Sequence, residues 1–249
     1  MLSQDCHGLF FALLGLVALL TWIAVPGSGP AAEGQISAKV ARTVVLVATA
    51  DAYLRDGSAN QSQGQESLLR IRSSGHNRAL VDVSRADLTE VLAGSTLVSA
   101  RLELRIQDNG GNWGEGRTVD VHRLTTAWAE PSVTWNCPAD ANLGNQQADC
   151  AIPWSGGAFD PIPTDSVLHV NELGGWVSWD VTPDVEAFLA EQPFAGWLLK
   201  KTSEGASGLV DYSSREVCGE EPRLVLELEA PGPDLAPPGW RSPRRPSVF

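Results

Sequence analysis

The sequence predicts an all-β fold: an antiparallel β-sandwich of the jelly-roll kind, with one or two short helices capping its ends. Three observations carry this. Short segments alternate apolar and polar residues with period two. Clusters of Gly, Asn, Asp and Ser separate them at even intervals. No regular helices are interleaved, as parallel β-α-β units would require.

The chain has 249 residues, enough to bury a real core in one large domain. It opens with an apolar run, "LFFALLGLVALLTWIAV", followed by "PGSGPAAEG". This reads as a secretory signal peptide over 1–31, cleaved between Ala31 and Ala32. The stretch before it, "MLSQDCHG", carries no Lys or Arg, so an uncleaved membrane anchor stays open as the alternative. Either way the domain is exported. Residues 32–42 read as a linker, and the folded unit as 43–229.

Within that unit the strands follow in order. "TVVLVA", "SLLRIR" and "RALVDV" come first. "SRADLTEVL" then reads as a helix with Ser84 as N-cap. "SARLELRIQ" puts Ala100, Leu102, Leu104 and Ile106 on one face and Arg101, Glu103 and Arg105 on the other. "RTVDVHRL" is the next strand. In "GWVSWDV", Val177, Trp179 and Val181 alternate with Trp176, Ser178 and Asp180. "TPDVEAFLAEQP" reads as a helix with Thr182 as N-cap and Pro183 at its first position, burying Phe188 and Leu189. "AGWLLKK", "GLVDYSS" and "RLVLELE" complete the set, the last with Leu224, Leu226 and Leu228 inward. Residues 230–249, "APGPDLAPPGWRSPRRPSVF", are rich in Pro and Arg and lack periodicity. They read as a disordered tail, either a solvated extension or a basic attachment to an acidic surface polymer.

The formal net charge is -12 and the isoelectric point near 4.7. That argues against nucleic acid and anionic lipid as partners, since basic patches supply the attraction to both. A membrane enters only through the N-terminal run. There are four cysteines. Cys137 and Cys150 bracket a short polar loop and form a natural local disulfide in an oxidising compartment. Cys218 is left as a buried free thiol or an intermolecular partner, and no C-x-x-C supports a redox or zinc site.

No G-x-S-x-G, H-E-x-x-H, P-loop or dinucleotide fingerprint occurs. The four histidines do not cluster in sequence, and the carboxylates are plentiful without a pattern. The chain therefore reads as non-catalytic.

Several motifs occur together in order. "DAYLRDGSANQSQGQESLLRIRSSGHNRALVDV" is followed by "SARLELRI", "VDVHRLTTAWAEPSVTWNCP", "VSWDVTPDVEAFLAEQPFAGWLLKK" and "VDYSSREVCGEEPRLVLEL". This series resembles the DNRLRE domain, also classed as carbohydrate-binding module family 96, over about Asp51 to Leu228. The chain departs from it at Val83–Ser84, where a Phe-Asp pair is common, and in the long segment from Cys137 to Leu173. The resemblance implies a β-jelly-roll module. Some members bind acidic polysaccharides such as alginate, and such modules are often appended to polysaccharide-degrading enzymes or surface proteins.

The expected function is thus a secreted, carbohydrate-binding module-like protein that binds polysaccharide, including acidic ones, or serves in a cell-surface matrix. Its rival is a structural or adhesive domain without a glycan site. A small polysaccharide-active enzyme is a third reading. A flat aromatic offers apolar contact to a sugar face. Trp113 in "DNGGNWGEG" is the best-placed one, against a tryptophan folded back on a sheet edge. Trp154 and Trp176 flank loops and read as edge packing. Trp128 and Trp135 read as core, with Glu130 satisfying turn N–H groups. For an anionic glycan the partners would be Arg70, Arg72, Arg78, Arg123, Lys200, Lys201 and Arg215, as a basic groove. Their alternative is separate solvated or carboxylate-paired residues. No cofactor is required. Asp51, Asp180 and Glu216, which sit in matched motifs, are the candidates for a structural calcium; their alternative is ordinary strand-end or capping carboxylates.

Overall fold

The computed structural model describes residues 40–72, 76–109, 118–169 and 173–230. The expected signal peptide, the tail beyond Ala230 and Trp113 lie outside the described residues. Among those described, no helix is long and apolar enough to cross a membrane.

Among the described residues eleven strands run in chain order: β1 (Val40–Val47), β2 (Ala50–Arg55), β3 (Leu68–Arg72), β4 (Asn77–Asp82), β5 (Thr96–Asp108), β6 (Thr118–Arg123), β7 (Asp165–Leu168), β8 (Trp176–Asp180), β9 (Trp197–Lys201), β10 (Leu209–Ser213) and β11 (Arg223–Ala230). β1 begins inside the stretch expected as linker. Two helices, α1 (Arg85–Leu92) and α2 (Thr182–Leu189), join them. All strand pairings are antiparallel.

The order is β1-β11-β5-β10-β3-β4-β9-β6-β7, with β2 paired to β4 and β8 to β5. β5 is the corner. Its first part pairs with β11 and β8, and its last residues pair with β10 across a register shift. The sheet therefore curls into two facing layers. One holds β1, β11, β5 and β8. The other runs from β10 to β7 and takes β2 at β4.

The alternating residues meet between the layers. Leu102, Leu104, Trp179, Leu224 and Leu226 face Leu69, Ile71, Val81, Val121, Trp197, Leu199 and Tyr212 in one continuous core. Burial of this apolar surface drives the fold, at about 25 cal/mol per Å² removed from water. The sandwich-like all-β architecture is the one the alternation predicts.

The helices differ from expectation in detail. Ser84 caps α1 as predicted, its Oγ accepting the Asp87 N–H at 3.2 Å. Ser84→Ala should cost about 1 kcal/mol in a denaturant titration; no change would mean that water caps the helix equally well. Thr182 does not cap α2. Its hydroxyl accepts the Ala100 N–H at 2.9 Å and donates to Asp180 at 2.6 Å, tying the helix start to β5. Val185 is the residue that buries fully, Phe188 packs at the core margin, and Leu189 is exposed. The helix is rotated relative to the sequence reading, because its inner face is set by β5 and Trp197.

A second, smaller core lies on the outer side of the β4–β9 layer. Ala52, Leu54, Leu80 and Leu198 pack there against Leu124, Val133, Trp154 and Ala195. The long segment after β6 folds over this face, and the Cys137–Cys150 disulfide closes part of it. A loop of that length gains about 3 kcal/mol from closure in the chain-entropy model. Cys218 is not a free thiol either. Gly196, at φ +84°, lets the chain enter β9, since a side chain there would collide with the Val81 carbonyl.

Candidate functional site

Two groups of charged residues stand out. The first joins three distant segments. Asp51 starts β2, Glu130 lies in the segment after β6, and Arg215 and Glu216 follow β10. Arg215 grips Glu130 through both carboxylate oxygens, Nε to Oε1 at 2.6 Å and Nη2 to Oε2 at 2.7 Å. The Asp51 N–H donates to Glu130 Oε1 at 3.0 Å, and the Arg215 N–H donates to Asp51 Oδ2 at 2.7 Å. Glu216 holds the Ser214 hydroxyl at 2.6 Å and lies 3.6 Å from Arg215.

Oxygen atoms of Asp51, Glu130 and Glu216 lie within 4.8 Å of one another. Burial pushes the Asp51 carboxyl well up. The Arg215 N–H opposes this, and the charges of Glu216 and Glu130 add to it. Of the residues expected around calcium, Asp51 and Glu216 are thus brought together. Asp180 is not among them: it accepts the Thr182 N–H at 2.9 Å at the start of α2. Glu130 takes its place. Glu130, expected to satisfy turn N–H groups, does serve one backbone N–H, but its main partner is the Arg215 guanidinium.

The second group lies on the outer face of the β10–β7 layer. On β3, Leu69 and Ile71 point into the core, so Arg70 and Arg72 point out. On β10, Val210 and Tyr212 point in and Asp211, opposite Arg70 in register, points out. By the same alternation Arg78 on β4, Lys200 on β9 and Asp120 on β6 share this face, with Lys200 opposite Asp120 and Asp120 opposite Ser166. The result is a polar band across the strands from β10 to β7.

The band is not a bare basic groove. Arg70 and Arg72 flank Asp211 at 3.7 and 3.4 Å. Arg78 makes a fork to Glu204 at 2.7 and 3.0 Å, donates to the Gly156 carbonyl at 2.7 Å, and stacks 4.7 Å over Trp135. Lys200 sits 4.0 Å from Asp120, which also accepts hydroxyls from Ser166 and Thr202 at 2.6 Å. Arg123 and Arg215 lie apart from the band, with Asp160 and Glu130 as partners. Lys201 points the other way and is fully buried, its ammonium held by the carbonyls of Ala206, Ser207 and Gly208. Burial lowers its pKa.

One part of the band is incompletely satisfied. Asp211 Oδ1, Arg70 Nε and Arg72 Nε are buried atoms without hydrogen-bond partners. Burial raises the Asp211 pKa, against the pull of Arg72 and Arg70.

The tryptophans divide. Trp154 is buried, and its Nε1–H donates to the Thr134 carbonyl at 2.9 Å. Trp128 and Trp135 are half-buried against the second core. Trp176 is exposed on the outer face of the other layer, with the Arg223 guanidinium 3.9 Å over its ring. The sequence reading missed Asp211, Glu204 and Asp120. The alternation in "VDYSS" and "VDVH" was the available signal, because it puts Asp211 and Asp120 on the outward side.

No curated protein matches the chain. A family model does, over residues 42–152, from β1 through β6 and into the disulfide loop. That model is described as carbohydrate-binding module family 96, and over those residues the chain is similar to it.

Proposed function

We propose that this protein is a secreted, non-catalytic module that binds polysaccharide outside the cell on the outer face of its β10–β7 layer. The observation that carries this reading is the family match over 42–152, which includes the strands bearing Arg70, Arg72 and Arg78. The band supports it as a row of side-chain donors and acceptors, running beside the loop that covers Leu80 and Leu198, that can hydrogen-bond the hydroxyls of a sugar chain. Export is supported by the Cys137–Cys150 disulfide, which belongs in an oxidising compartment. Affinity electrophoresis of the full chain on a panel of neutral and uronic-acid polysaccharides tests it. Retardation on at least one gel is expected. Passage through every gel at the rate of a reference protein would leave only the structural or adhesive alternative.

In this reading Arg215, not calcium, neutralises Asp51, Glu130 and Glu216. Calcium takes about 6–8 oxygen ligands at 2.3–2.6 Å, whereas both oxygens of Glu130 already accept from Arg215. Melting curves with chelator and with added calcium are expected to coincide. A site holding calcium at a hundredth of the added concentration would instead stabilise by about 2.7 kcal/mol, which is easily seen.

A further inference from the structure

We infer that the ligand recognised at Arg70, Asp211 and Arg72 is a neutral glycan, engaged through its hydroxyl groups, and not a uronic-acid polymer. The inference rests on the polysaccharide reading and names the class of polysaccharide. It starts from the partnerless atoms. Asp211 Oδ1 is an acceptor without a donor; Arg70 Nε and Arg72 Nε are donors without an acceptor. Buried polar atoms are normally paired, and each orphan calls for an explanation. A single ligand group that completes all three must both donate and accept. A hydroxyl does so: its O–H donates to Asp211 Oδ1 while its oxygen accepts from a guanidinium. A carboxylate only accepts. It would leave Asp211 Oδ1 unpaired and bring a second negative charge beside it.

The charge inventory of the band points the same way. Arg70 and Arg72 share Asp211, Arg78 is forked onto Glu204, and Lys200 lies beside Asp120. Asp211 is also more deeply placed than its arginines, with side-chain exposure of 5% against 33% and 36%. A polyanion would have to displace an internal carboxylate at each step and gain little charge attraction in exchange. Paired cations and carboxylates offer a neutral ligand alternating donors and acceptors, each stronger than a neutral hydrogen-bonding group. Arg70 and Arg72 are a third exposed and held to Asp211 only by long contacts, so their side chains can swing to admit a hydroxyl.

The test compares the full chain and Asp211→Asn on gels containing neutral β-glucan, xylan, mannan and galactan and on gels containing alginate and polygalacturonate, at low and high salt. The expected result is retardation on a neutral gel that persists at high salt. Asp211→Asn should weaken it about tenfold, as loss of one charge-assisted hydrogen bond predicts. The opposite sign overturns the inference: retardation on the uronate gels that fades with salt, and tighter binding by Asp211→Asn because a repelling charge has gone. That outcome leaves the polysaccharide reading intact. Retardation on no gel overturns both. If Asp211→Asn melts early, the ligand preference and salt response of the unaltered chain still decide, and Arg72→Gln, on the more exposed partner, replaces it as the variant.

Discussion

Glu130→Ala is expected to destabilise the fold by about 3–5 kcal/mol, the range for breaking a mostly buried ion pair by removing one partner. Glu130 has a side-chain exposure of 12%. Its removal strips the Arg215 guanidinium of both strong hydrogen bonds and leaves the buried Asp51 N–H without its acceptor. It also leaves Asp51 and Glu216 facing Arg215 without the geometry that held it. Arg215→Ala should cost less. Its side chain is 35% exposed, so solvent screens part of the interaction. Glu130→Gln should fall between, since one amide oxygen still accepts. Gly64→Ala should act on the same node by another route: an added Cβ there would collide with the Glu130 backbone carbonyl. Urea titrations of these variants provide the check. Losses below about 1 kcal/mol for Glu130→Ala would mean that the three segments are held by packing alone.

The strands were legible because period-two alternation is local. "SARLELRI" and "RLVLELE" state their inward residues outright, and β5 and β11 bury Leu102, Leu104, Leu224 and Leu226 as that pattern requires. The site was legible only by half. Alternation put Arg70 and Arg72 on one face, but it does not say which strand lies alongside. Asp211 reaches Arg72 across 139 residues of sequence, and Glu130 reaches Arg215 across 85. Strand order and register decide those meetings, and neither is written in a single strand. This is why the cations could be read either as a basic groove or as carboxylate-paired, without the sequence saying which carboxylates would pair with them. It is also why Asp180 was grouped with Asp51: both sit in motifs that resemble the family, yet Asp180 is spent on the start of α2. The second core was hidden for a different reason. Leu80 and Leu198 point outward from their strands, and nothing in those strands announces that the loop carrying Val133 and Trp154 returns to cover them.

Acidification through the range from about pH 6.5 to about 4 is expected to destabilise the unaltered protein by about 3 kcal/mol relative to His169→Gln. His169 is buried, and burial lowers its pKa to about 4, opposed by the hydrogen bond to the Val167 carbonyl. The imidazole is therefore neutral in the fold. Nδ1 lies 3.0 Å from the Val167 carbonyl and Nε2 lies 2.6 Å from the Tyr212 hydroxyl. That network assigns the proton to Nδ1 and makes Tyr212 the donor to Nε2. Tyr212 suits this role because burial pushes its own pKa well up and keeps its proton in place. Protonating Nε2 would remove the acceptor for that O–H and place a charge between Trp179 and Tyr212, whose rings lie 5.5 and 5.7 Å away. The unfolded chain takes up the proton near pH 6.5 and the folded chain near 4. The stabilisation is thus complete above the first value and lost as pH falls through the window. Asp51, Asp82, Asp184 and Asp211 act in the opposite sense, since burial raises their folded pKa values and lower pH relieves the cost of their charge. Taking the difference between the unaltered chain and His169→Gln in urea titrations at several pH values cancels these carboxylates. A difference that does not change with pH would show that His169 takes up its proton at the same pH in the folded and unfolded chains, and would move the acid sensitivity of this fold elsewhere.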